Sequence, residues 1–224
     1  MKNIFKFQEY HLLAVIVLVT AVSIIINHDY SMTEGFLWDL TTRQWIWISV
    51  SMPIFHQTYV WLVWRLELYD NWFTRKLGES AFEIYYIGFA GLFISRFIFI
   101  VFLAVSNRGS LYIYPWIAYL AAAAITPVVV YLFYSVQKYF TIERAFGIDH
   151  FRKNFRKPFI KEGIFRYSNN AMYSFGLWIL YLPGLLLLSR AALLVALFNH
   201  AYIWVHYFCT ERPDMEKIYG KLPQ

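Results

Sequence analysis

Long, nearly uncharged apolar stretches recur along this chain, and they leave its backbone few ways to fold. Runs such as His11–Asn27 (HLLAVIVLVTAVSIIIN) and Ile87–Ser106 (IGFAGLFISRFIFIVFLAVS) carry at most one formal charge each. Lipid offers no partner for exposed N–H and C=O groups, so only helices or closed barrels can span it. These runs are too long and too uniformly apolar for the alternating strands of a barrel. The expected fold is all-α: a polytopic transmembrane helical bundle of about six spans. They fall at roughly 11–27, 44–66, 81–106, 111–137, 172–188 and 190–208, the last two forming a C-terminal helical hairpin. A hydrophobic share of 59% and an aromatic share of 21% over 224 residues fit an integral membrane protein.

The first run covers about 26 Å at 1.5 Å per residue, just enough for a hydrocarbon core of about 30 Å with its flanks. Lys2 and Lys6 before it would suit a secretory leader. The run continues through Ile24-Ile25-Ile26 without a small-residue cleavage pattern, so a retained helix is expected. No repeat, linker or low-complexity tract interrupts the sequence, which reads as one domain over 1–224.

Basic residues set the expected orientation. Lys2 and Lys6 precede the first span, Arg65, Arg75 and Lys76 surround the 67–80 connection, and eight more basic residues lie between Lys138 and Arg166. The 28–43 connection is mostly acidic, with Asp29, Glu34 and Asp39 against Arg43. With six spans every basic segment falls on one side, which the positive-inside rule makes cytoplasmic, together with both termini. The net charge of +6 is then a membrane signature, and no nucleic-acid module is present. Segment 138–170 interleaves those basic residues with Phe146, Phe151, Phe155 and Phe159. It reads as an ordinary positive-inside loop, or as a flap over a site.

Polar groups inside lipid are costly and mark candidates for function. His56 and Gln57 follow Pro53 in the second span and suit either an interhelical bond or a substrate cavity. Arg96 is expected to extend its guanidinium outward to the membrane surface. Arg65 and Glu83 lie near the cytoplasmic boundary. His200 and His206 share the last span, but no third ligand at helical spacing accompanies them, so no metal centre is expected. The lone Cys209 excludes a disulfide framework. No GxSxG elbow, Walker loop or GxGxxG fingerprint occurs.

The densest polar grouping lies around the C-terminal hairpin. KEGIFRYSNNAMYSFG precedes the first arm and HAYIWVHYFCTERPDMEKIYG closes the second, with Ser189-Arg190 at the turn. Positions equidistant from that turn share a level, so Asn170 should face Cys209, Tyr173 should face His206 and Ser168 should face Glu211. The pocket so formed would offer Arg166, Asn170, Tyr173, His206 and Glu211 with Tyr167, Tyr202 and Tyr207, a mixture suited to an amphiphilic ligand bearing both charges and an aromatic base.

These residues resemble the superfamily of phospholipid N-methyltransferases and isoprenylcysteine carboxyl methyltransferases. Its members show G-x-[YF]-R-Y-x-R-[HN]-P-x-Y before a helical hairpin and a glutamate motif after it. Here the first reads Gly163-Ile164-Phe165-Arg166-Tyr167-Ser168-Asn169-Asn170-Ala171-Met172-Tyr173. The second, Glu211-Arg212-Pro213-Asp214-Met215-Glu216-Lys217-Ile218-Tyr219, is similar to the E-E-P-x-x-x-x-I-Y ending of phosphatidylethanolamine methyltransferases. Asn169 stands where the family has arginine, Ala171 where it has proline, and Arg212 where it has a second glutamate.

The resemblance implies S-adenosylmethionine held mainly within 161–220, by Gly163, Arg166, Tyr167, Asn170, Met172, Tyr173, His206, Glu211 and Tyr219. It implies methyl transfer to a membrane lipid, the amine of phosphatidylethanolamine first, with Glu211 and then His206 as the base. His56, Gln57, Arg65 and His200 are the candidate acceptor contacts. A bacterial inner membrane or the endoplasmic reticulum would suit such an enzyme, as monomer or homodimer. The competing readings are methylation of a prenylcysteine carboxylate or small thiol, a sterol-reductase-like enzyme, and a non-catalytic membrane partner whose two polar clusters stay apart.

Overall fold

A computed structural model describes residues 3–155 and 160–220, apart from the Lys153 side chain. The described chain is helical almost throughout, and the only strands among the described residues are a two-residue pair, Phe36–Leu37 against Leu40–Thr41. The long helices are α1 (Gln8–His28), α2 (Thr42–Asp70), α3 (Ala81–Ser106), α4 (Pro115–Ser135) and α5 (Arg190–His206), with a shorter α6 (Arg212–Tyr219).

Among the described residues four stretches are long and apolar enough to cross a membrane: Gln8–His28, Trp72–Ser106, Pro115–Phe140 and Arg190–Tyr219. The six expected spans are thus not equivalent. Helix α2 has the length, 29 residues, but His56, Gln57, Arg65 and Glu67 are buried along it and lower its hydropathy. It opens with a capping box in which Thr41 and Gln44 satisfy each other's backbone N–H groups.

The expected helix at 172–188 is broken. A turn at Ala171–Ser174 passes into a 3-10 stretch, Gly176–Tyr181, and then a short helix, Leu182–Leu186. Pro183 has no N–H to donate, so the last piece starts afresh there. A 3-10 turn rises about 2.0 Å per residue against 1.5 Å, which lengthens the arm's reach. Gly184 allows the return helix to come close, since a Cβ there would lie 2.8 Å from the Leu193 side chain. Ser189 then caps α5 by accepting from the Ala192 N–H, which makes the hairpin turn.

The main core joins α1, α2, α3, the broken arm and α5. Helix α5 sits at its centre because Ala191, Ala192 and Ala196 let neighbouring backbones approach. Large side chains point the other way: Leu12, Ile16, Ile87 and Leu120 are each more than half exposed, as a lipid-facing belt requires.

The basic segments collect at one end of the bundle. Arg65 near the end of α2 donates to the carbonyls of Ile4, Lys6 and Cys209 and pairs with Asp214 at 3.1 Å. Segment 141–151 folds over this end, with Ile148 packed among Val60, Trp64, Phe82 and Tyr85. It is structured cover rather than loose loop. Lys2, Arg156, Lys157 and Phe159 lie outside the described residues.

Candidate functional site

Two adjoining cavities occupy the basic end. The larger, about 250 Å³, lies between α2, α3, α4, the broken arm and α5. Its walls are apolar except for His56, Gln57, Arg96 and His206 and the edges of Trp64 and Tyr173. The smaller, about 100 Å³, is the more polar of the two and is lined by Arg144, Asp149, Asn169, Asn170, Glu211 and Tyr219, with Phe140, Phe165 and Tyr207 as aromatic walls. Trp64, Ala145, Met172 and Tyr173 line both and form the partition.

Local structure aims each of these groups. The Trp64 indole stacks on His150 at 4.1 Å and 19°. That approach depends on Gly147, whose φ is +88° and whose Cβ would lie 2.4 Å from the indole. Tyr173 meets Trp204 and Tyr207 edge-on at 6.0 and 5.8 Å, which brings the two hairpin arms to one level. Beyond His206 the helix widens into a π turn, Tyr207–Glu211, before α6. The turn places the Cys209 carbonyl where Arg65 and Gln8 both donate to it, at 2.9 and 3.2 Å. Such a turn re-aims the residues after it and is frequent at functional sites. Here it carries Glu211 to the smaller cavity.

The electrostatics of the site are unbalanced. Asp149 accepts from the Tyr219 hydroxyl at 2.5 Å and faces Arg144 at 3.5 Å through the same oxygen. Its other oxygen is buried without a partner, as are Glu211 Oε2, His206 Nδ1, His56 Nε2 and Arg96 Nη2. Buried polar atoms left unsatisfied are costly and rare, so their clustering around two cavities makes this end the candidate site. Among the described residues no group of three or more His, Cys, Asp or Glu could hold a metal.

Of the residues singled out in the sequence, Asn170, Met172, Tyr173, Glu211 and Tyr219 line the smaller cavity. His56, Gln57 and His206 line the larger one. Five lie elsewhere. Gly163, at φ +59°, packs on α4, where a Cβ would lie 2.6 Å from Ser135 Oγ, and the Ile164 N–H donates to that hydroxyl. Arg166 and Tyr167 are exposed. Arg65 is fully buried in its pair with Asp214. His200 meets Tyr181 at 3.3 Å and lines neither cavity.

Arg96 also departs from expectation. It does not reach outward; it is buried, donating to Asn199 Oδ1 at 2.9 Å and contacting His56 Nδ1 at 3.3 Å. Neither Trp64 nor Asp149 is among the residues that the sequence singles out. Asp149 had a signal, being one of only three acids, with Glu143 and Glu162, in the basic 138–170 segment.

Residues 113–222 match the model of the phospholipid methyltransferase family. This half of the chain belongs to that family. No curated protein and no solved structure gives a significant match. The phospholipid methyltransferase segment supplies α4, the cover, both hairpin arms and α6, and hence almost all of the smaller cavity. The wall formed by His56, Gln57, Trp64, Phe89, Phe93 and Arg96 lies before it.

Proposed function

We propose that the protein is an integral membrane methyltransferase that takes its methyl group from S-adenosylmethionine and transfers it to the amine of phosphatidylethanolamine. The observation that carries this reading is the shared wall. A polar compartment and an apolar one meet at Trp64, Met172 and Tyr173, as transfer between a water-soluble donor and a lipid acceptor requires. We read the basic end as cytoplasmic, with α2 and the broken arm completing six crossings and both termini on that side.

The smaller compartment suits the cofactor. The unpartnered oxygens of Glu211 and Asp149 offer acceptors for an ammonium and for ribose hydroxyls. Arg144 supplies a cation for a carboxylate, and the faces of Tyr173 and Tyr207 suit an adenine ring or a sulfonium charge. When bound, S-adenosylmethionine supplies a methyl group activated by attachment to sulfonium. The chain's own work is to position the reactants, exclude water and remove a proton. An ammonium cannot attack until it is deprotonated. His206 lines the acceptor compartment and Glu211 only the cofactor compartment, so the imidazole is the base in this reading. Glu211 then holds the cofactor, which reverses the order of preference drawn from the sequence.

Purified protein incubated with radiolabelled S-adenosylmethionine and total lipid extract tests the reading. Label in phosphatidyl-N-methylethanolamine supports it. Cofactor binding with label in another product moves the acceptor, to a prenylcysteine carboxylate or a thiol. Absence of cofactor binding defeats the enzyme reading.

A further inference from the structure

The larger cavity has a polar floor that neither the family match nor the methyl-transfer chemistry accounts for. Arg96 is 3% exposed and lies in that floor. Its Nε donates to Asn199 Oδ1, its Nη1 touches His56 Nδ1, and its Nη2 has no partner. Asn199 is committed on its other side, donating to the Val195 carbonyl at 2.8 Å. His56 Nε2, on the same floor, is also unpartnered. Arg96 makes no ion pair among the described residues, whereas the equally buried Arg65 has Asp214. A guanidinium stays protonated and is costly to bury without an anion.

We infer that this floor binds the anionic group of an amphiphilic acceptor, a phosphate ester or carboxylate attached to an apolar chain. The inference rests on the methyltransferase reading and names the charge its acceptor must carry. A guanidinium with an open N–H, beside an imidazole with an open nitrogen, forms a two-point receptor for such an oxyanion. The surrounding walls, Phe89, Phe93, Leu132 and Leu177, accept only hydrocarbon. The acceptor presents its reacting group toward the partition and its charge, or the anionic junction to its tails, to the Arg96 floor.

The test separates this inference from the enzyme reading because its first readout needs no turnover. Thermal unfolding of the protein in a maltoside detergent is followed with added dodecyl phosphate, inorganic phosphate or dodecanol, for wild type, Arg96→Lys and Arg96→Gln. Saturable stabilisation of wild type by dodecyl phosphate alone, lost in Arg96→Gln and partly kept in Arg96→Lys, is the expected result. Equal stabilisation by inorganic phosphate would mean a free-anion site and overturn the lipid assignment. Equal response of wild type and Arg96→Gln to dodecyl phosphate would overturn the role of Arg96. Retained S-adenosylmethionine affinity in Arg96→Gln shows that the variant is folded; if it does not fold, Arg96→Lys with His56→Ala carries the comparison. In the second readout, Arg96→Gln raises KM for phosphatidylethanolamine at least tenfold, with kcat within about threefold. KM for hexadecylamine, which lacks the anion, stays unchanged. An equal loss for both amines would reduce Arg96 to a structural part.

Discussion

The two ends of the bundle treat their buried polar groups in opposite ways. At the turn end Asn107 acts as a hub: its Oδ1 accepts from Ser110, Ser189 and the Ala191 N–H, and its Nδ2 donates to the carbonyls of Ser31 and Glu34. Arg190 there pairs with Asp29 at 2.5 Å. Among the described residues no buried side-chain nitrogen or oxygen at that end lacks a partner. At the basic end Asp149 Oδ1, Glu211 Oε2, His206 Nδ1, His56 Nε2, Arg96 Nη2 and Trp64 Nε1 stand open around two cavities. A closed network fixes structure and has nothing left to offer a ligand; an open one costs stability and is retained where a ligand finishes it. The turn end holds the hairpin shut, and the basic end uses what the hairpin brings together.

The difference can be broken first at Glu211. Its open oxygen is assigned to the cofactor, so Glu211→Gln replaces one carboxyl oxygen by an amide nitrogen and removes half of the acceptor capacity with little change of shape. Turnover at limiting S-adenosylmethionine should fall by a factor on the order of 10–100 while the unfolding midpoint stays within a few degrees. Radiolabel incorporation beside a melting curve decides it. Full activity in this variant would remove Glu211 from the site.

The second perturbation is aimed at the closed end and should show the converse. Asn107→Ala strands three buried donors and takes one donor from the part-buried carbonyls of Ser31 and Glu34. At roughly 1 kcal/mol per unmade bond, partly relieved by relaxation, the loss is about 3 kcal/mol. Denaturation in mixed micelles should show it, while S-adenosylmethionine affinity of the folded fraction stays within about threefold. A large loss of cofactor affinity with unchanged stability would erase the contrast between the ends.

The same contrast explains what could be read in the sequence. Helices were legible because lipid enforces them wherever apolar runs are long. The hairpin was legible because Ser189 can cap and Ala191, Ala192 and Ala196 can pack. The level assigned to Tyr173 was off by only one or two residues, since its neighbours prove to be Trp204 and Tyr207 rather than His206 itself. The broken arm was not legible, because its apolar composition conceals a change from 3.6 to 3.0 residues per turn that packing against α5 imposes. The misplacement of Arg166 and Tyr167 has a similar origin. Motif spacing says that residues are near a site, while the 3-10 turn at Gly163–Arg166 decides which of them face it. Trp64 was missed and Arg96 was aimed the wrong way because their partners, His150 and Asn199, are far away in sequence and meet them only through tertiary packing.

A third test concerns the cover. Gly147 lets segment 141–151 lie on Trp64, and an added methyl would force that contact apart at a positive φ. Gly147→Ala should therefore loosen the cover over the partition. We expect S-adenosylmethionine affinity to fall about tenfold by filter binding, with global stability lowered by about 1 kcal/mol. If affinity survives, the cover plays no part in closing the smaller cavity.

The smallest effect, and the sharpest on roles, comes from Tyr219. Its hydroxyl donates to the Asp149 oxygen that also faces Arg144, so it orients the carboxylate without supplying the cation. Tyr219→Phe keeps the ring in the wall and removes one bond to a charged acceptor. Arg144 remains to hold Asp149, so the cost should be about 1 kcal/mol, near fivefold in KM for S-adenosylmethionine, with KM for the lipid unchanged. Asp149→Asn, which removes the charge from that oxygen pair, should cost more along the same axis. If Tyr219→Phe instead altered the lipid KM and spared the cofactor, the two compartments would have to exchange occupants. The boundary at Trp64, Met172 and Tyr173 would then separate something other than cofactor from acceptor.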